Sequence, residues 1–164
     1  MWRIGFSNSD AKLRGLPEAV HFVLPEGIDQ ATRGLIAGYI NEMNSWGLQT
    51  RYDLDAGTVG ATIPISIESG LICGSFGSAG GCMSASYDAT GLLTGGWIKF
   101  VSVGVMKQRA VFFHEAFRCL GVEGLSSEQG VMASAPSGSR PTEKELAMLL
   151  GRYQYPLLAV YSPQ

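Results

Sequence analysis

Charge is what this sequence has least of. Only 16% of its 164 residues are Asp, Glu, Lys or Arg, where an average soluble domain has about 25%. The 12 basic and 14 acidic residues leave a net charge of −2, with no block of Lys and Arg. That excludes the footprint of a nucleic-acid binder, which needs a clustered basic surface to neutralise phosphates. Histidine is scarcer still, with His21 and His114 alone. A Ser-His-Asp triad would have to use one of them, and neither Ser84 nor Ser86 sits in a nucleophile-elbow context. No apolar run approaches the ~18 residues of a membrane helix, so membrane insertion is not expected. The opening stretch Met1 to Asn8 lacks the apolar core of about 7–15 residues that marks a signal peptide. Internal repeats and linker-like stretches are missing too, which points to a single domain over 1–164.

Glycine is present in excess, at 22 of 164 residues, where average usage is about 7%. The glycines follow no fixed period, which excludes collagen. With 46% hydrophobic residues, the chain is not a disordered one, and its length suits a real core. The densest glycine cluster, Gly74 to Gly81, lies between Cys73 and Cys82. It lacks the Lys-Ser/Thr ending of a phosphate loop and opens no helix, so nucleotide binding is not expected. A loop this flexible lets the two sulfurs meet. A Cys73–Cys82 disulfide would imply an oxidising compartment and an exported protein, periplasmic or secreted; two free thiols would suit the cytosol. Cys119, in an apolar helical run, reads as a small buried residue.

Periodicity supplies a coarse element order. Val20 to Leu24 reads as a short strand. Residues 28–46 read as a long helix, with Ile28, Ala31, Leu35, Ile36, Tyr39, Ile40, Met43 and Trp46 on its apolar side. Gly47 stands at the expected C-terminal stop. Gly34 and Gly38 inside this helix suggest close packing on a strand. Strands follow at 49–54 and 62–67. Residues 69–86 read as a long Gly/Ser loop or a pair of weak strands. Residues 97–103 alternate and read as an edge-like strand. A second helix spans roughly Lys107–Leu120 and stops at Gly121. Pro141-Thr142-Glu143-Lys144-Glu145 opens a third, with Leu146, Leu149, Leu150 and Tyr153 on its apolar side. The sum is one α+β domain with a mixed, twisted sheet.

The informative segment is Phe113-His114-Glu115-Ala116-Phe117-Arg118-Cys119-Leu120-Gly121-Val122-Glu123-Gly124. His-Glu-x-x-His on a helix puts two imidazoles on one face to hold a zinc, with the Glu as general base. His114 and Glu115 fill the first two places. Arg118 stands in the second His place, and a guanidinium has no lone pair to give a metal. The segment resembles the metzincin peptidases, which extend the motif to H-E-x-x-H-x-x-G-x-x-H and follow it with a Met-turn. Leu120-Gly121 matches the turning Gly, Gly124 stands in the third His place, and Gly130-Val131-Met132-Ala133-Ser134 looks like the Met-turn. The helix from Pro141 looks like the one that closes a matrixin-type domain. The chain is also similar to a set of bacterial domains that keep H-E-x-x-Q-x-L-G. The resemblance implies a zincin fold in which Met132 packs and does not react.

One histidine of three is too few for a catalytic zinc, which needs about three protein ligands and a water. Arg118 would repel a dication. It is expected to pair with Glu115 or Glu123 instead and occupy the vacated metal position. His21, on an apolar strand, reads as a satisfied core histidine. Two functions remain. One is a catalytically inactive metzincin-like domain, without cofactor, that binds a protein or peptide partner, alone or within a larger assembly. Its old cleft, between the strand at 97–103 and the helix at 107–120, would take an extended peptide on the sheet edge. The other is a zinc metallopeptidase with a non-standard ligand set, holding metal at His114 and using Glu115 as base.

Overall fold

A computed structural model describes residues 15–46, 50–73, 80–122, 130–133, 136–138 and 140–154. Strand β1 (Ala19–Val23) is followed by helix α1 (Gln30–Asn44). The helix begins two residues later than its apolar pattern suggests, because Asp29 is its N-cap. One Asp29 oxygen accepts the Thr32 N–H at 2.8 Å and the other the Thr32 hydroxyl at 2.7 Å, satisfying a donor that the first turn leaves open. The helix ends at Ser45, whose N–H donates back to Glu42 O; Gly47 lies outside the described residues. The pairing of Gly34 and Gly38 with a strand is not found. A Cβ at either would meet nothing within 4 Å, so this glycine face turns outward, as does Leu35.

The remaining elements are β2 (Arg51–Asp53), β3 (Ala61–Ile67), β4 (Gly81–Tyr87), β5 (Leu93–Phe100), α2 (Val103–Met106), α3 (Arg109–Cys119) and α4 (Glu143–Gln154). The strands form one mixed five-stranded sheet in the order β2-β1-β3-β5-β4. The first four are mutually parallel and β4 runs antiparallel to β5. The architecture is therefore α+β, as the element pattern predicts.

Three sequence expectations change. Residues 81–87, read as loop or weak strand, form a full strand. The strand placed at 97–103 spans 93–100 and is interior, paired to β3 on one side and β4 on the other. The edge beside the helix is β4. Gly96 makes that pairing possible, since a Cβ there would lie 2.2 Å from Ser84 O. The helix expected at 107–120 is α3, at 109–119, and a short unexpected helix, α2, precedes it where the strand reading ended. Ser102 caps the short α2, and the chain breaks at Lys107–Gln108 before α3. The Tyr39 hydroxyl donates to Lys107 O at 2.8 Å and ties the break to α1.

The core lies between the sheet and the inward faces of α1 and α3. Ile36, Tyr39, Ile40 and Met43 of α1 and Phe112, Phe113, Ala116 and Phe117 of α3 pack with Val20, Phe22, Ile63, Ile98 and Phe100. Phe112 is the hub, with ring centroids 6.4 Å from Phe22, 5.4 Å from Tyr39, 6.2 Å from Phe100 and 6.0 Å from Phe113. Such aromatic packing anchors α3 rigidly on the sheet. That is the helix that carries His114 and Glu115.

Candidate functional site

Helix α3 displays His114, Glu115 and Arg118 within about one turn. Helical spacing sends Glu115 toward the sheet. It is 3% exposed and lies against β4, where a Cβ on Gly81 would stand 2.8 Å from the Glu115 Cγ. Glycine at 81 is what lets a carboxylate enter this layer. Burial pushes the Glu115 carboxyl up to about 7, and the Arg118 guanidinium pulls it back only in part. Arg118 is 44% exposed, with its nearest nitrogen 3.7 Å from Glu115 Oε2. That is beyond hydrogen-bond range, and Oε2 has no hydrogen-bond partner among the described residues. A half-solvated cation at that distance is screened by water, so desolvation wins.

His114 is held from the other side. Its Nδ1 lies 2.6 Å from Val131 O. A carbonyl only accepts, so the ring donates from Nδ1. Burial holds the His114 pKa below its usual value. The Val131 carbonyl pushes it back up, Arg118 pushes it down, and Glu145 pushes it up. The neutral ring is therefore the form present at neutral pH.

Residues 130–133 form a turn, with Ala133 N–H reaching Gly130 O. Met132 is fully buried there. Gly121 ends the α3 region at φ 87°, a conformation that glycine adopts freely. Buried Leu120 and Val122 flank it. The expected turning Gly and the expected Met-turn are thus a turn with positive φ and a buried methionine, respectively. Glu123 and Gly124 lie outside the described residues.

Two residues of the site escaped sequence reasoning. Glu145 of α4 is 2% exposed and accepts the Met132 N–H at 2.6 Å and the Thr142 N–H at 2.7 Å. The spacing Thr142-x-x-Glu145 is a capping box, and that signal finds half of its role. Gly81 gave no local signal, because its purpose is set by a side chain 34 positions away in the chain.

The remaining candidates sit elsewhere. His21 is 6% exposed, with Nε2 donating to Val59 O at 2.7 Å and Nδ1 3.5 Å from the Asp53 carboxylate. It is the satisfied core histidine of the sequence reading. Cys73 and Cys82 are joined by a disulfide, their Cα atoms 5.9 Å apart. The bond ties the residues before β4 to that strand. Cys119 is buried, and burial pushes its thiol up to about 12, so it is unreactive at neutral pH.

Among the described residues no three His, Cys, Asp or Glu side chains gather into a metal-holding group. Among the described residues, the donor set at α3 does not fit a catalytic zinc: one imidazole, a carboxyl turned into the sheet, and a guanidinium one helical turn from the imidazole. No described helix is long and apolar enough to cross a membrane. No protein-family model matches the chain, and no curated protein matches it in sequence.

Proposed function

We propose that this chain is a metzincin-like domain whose metal chemistry has been abandoned and whose edge strand β4 binds an extended segment of a protein or peptide. The observation that carries the proposal is the state of Glu115. The carboxylate that would serve as general base lies against Gly81, with Arg118 as its charged neighbour where a second ligand would stand. In further support, His114, the Gly121 turn and the Met132 turn lie on α3 and just beyond it, in the order the resemblance implies.

The edge itself has the chemistry for strand addition. Val101 N–H donates to Gly80 O at 2.9 Å. Antiparallel ladders alternate, so the backbone groups of Met83 and Ala85 turn away from β5. An extended peptide adds to such an edge through main-chain hydrogen bonds. The disulfide beside β4 supports an exported, oxidising setting for this reading.

Two measurements test it. After dialysis, metal analysis should find no stoichiometric zinc. A stoichiometric zinc that His114→Ala removes would restore the alternative, a metallopeptidase with an unusual ligand set. In a peptide-display selection, the bound peptides should lose affinity by about 10-fold for each outward N–H deleted (~1–1.5 kcal/mol per hydrogen bond). Ala85→Pro deletes one while leaving the β5 ladder intact. Unchanged affinity in that variant would remove the edge from the proposal.

A further inference from the structure

Edge binding makes no use of Glu145, although a buried carboxylate is costly to keep. The two ends of a single peptide group account for it. Met132 N–H donates to Glu145 Oε1 at 2.6 Å. The carbonyl of the same peptide group, Val131 O, accepts the Nδ1–H of His114 at 2.6 Å. An anionic acceptor on an amide N–H makes the attached carbonyl a stronger acceptor. Space for the carboxylate is reserved at Gly130, where a Cβ would stand 2.5 Å from Oε1 and φ is +143°. As a helix cap, Glu145 needs only the Thr142 N–H at 2.7 Å and the return bond from its own N–H to Thr142 Oγ1 at 3.2 Å. The Met132 contact exceeds what capping requires.

We infer that Glu145 is a positioning residue for His114: acting through the Val131–Met132 peptide, it fixes the ring and its Nδ1–H tautomer, and leaves Nε2 as the lone-pair atom offered to a hydrogen-bond donor. A donor N–H or O–H of a bound molecule is therefore the complementary chemistry, and an acceptor carbonyl is not. Orienting an imidazole from its far nitrogen is a general way to set what the near nitrogen does. The inference does not depend on strand addition at β4, and loss of peptide affinity in Ala85→Pro leaves it untouched.

Long-range proton–nitrogen NMR of histidine-labelled protein at mildly alkaline pH reads the tautomer directly. The native protein is expected to show His114 protonated at Nδ1 and bare at Nε2. Glu145→Ala should lose this single state and show both tautomers in exchange. Glu145→Asp, which keeps a carboxylate for the Thr142 cap but is one methylene too short for Met132, should do the same and guards against misfolding of the first variant. Thr142→Ala weakens the cap without releasing the Val131–Met132 peptide, and should keep the native tautomer. A native His114 protonated at Nε2 overturns the inference. So does an unchanged tautomer in both Glu145 variants, or a tautomer mixture in Thr142→Ala equal to theirs.

Discussion

At the scale of the residue, two forces compete over Glu115 and burial prevails. The carboxyl rises from 4.5 in the unfolded chain to about 7 in the fold. Between those values the native state holds a proton that the unfolded state has lost, so stability falls as pH rises across the window and levels off above it. The full cost is roughly 3 kcal/mol at most. Glu115→Gln, a neutral isostere, is expected to match the native protein near pH 4.5 and to exceed its stability by up to ~3 kcal/mol well above pH 7. Urea unfolding at both ends of the window checks this, and an equal difference at both ends would refute it. Arg118→Ala should change stability by under ~1 kcal/mol, since its pair with Glu115 is half in solvent. The H-E-x-x-x-x-L-G pattern made His114, Glu115, Leu120 and Gly121 legible because local spacing on one helix carries it. Gly81 was illegible, and Glu145 legible only as a helix cap, because Glu115 and Met132, their further partners, lie far off in the chain.

At the scale of the element, the sequence spoke clearly where apolar residues alternate and poorly where backbone carries the structure. Strand β3 shows Ala61, Ile63 and Ile65 buried between outward Pro64 and Ser66, a period-2 pattern visible at once. Strand β4 is Gly-Cys-Met-Ser-Ala-Ser-Tyr. It offers little apolar contrast, and its place is set by pairing with β5, by Gly96 and by the disulfide. Helix α2 was equally hidden, since the four residues Val103–Met106 are too few to show a helical period. Because β4 leans on the disulfide, its loss should be felt locally first. Closing a loop over nine residues is worth about 2–3 kcal/mol in the chain-entropy account. The double variant Cys73→Ser/Cys82→Ser is expected to lose about that much stability. Amide exchange should rise at Ser84 and Ser86, whose N–H groups face β5, more than at Val20 and Phe22; uniform acceleration would contradict the local account.

At the scale of the whole molecule, the aromatic hub joins both helices to the sheet. Phe112 touches rings from β1, α1, β5 and α3 itself. Phe112→Ala should therefore destabilise by about 3–5 kcal/mol. Chemical denaturation should show one cooperative transition shifted to lower denaturant, and separate transitions for α1 and α3 would argue against a shared core. Fold class was legible from alternating strand and helix patterns. Strand order was not, because periodicity says which face is buried and nothing about which strand lies beside which.

The antiparallel placing of β4 has a kinetic consequence. Among the described strand pairs, β4 and β5 are the ones joined by a tight turn, where Asp88 Oδ1 accepts the N–H groups of Thr90 and Leu92 and Gly91 takes φ 86°. Such a hairpin closes in about 1–10 μs, whereas the parallel pairs β1–β2, β1–β3 and β3–β5 must wait for longer loops to close. The pair at the β4 edge of the finished sheet is thus the one with the least chain to close before its strands meet.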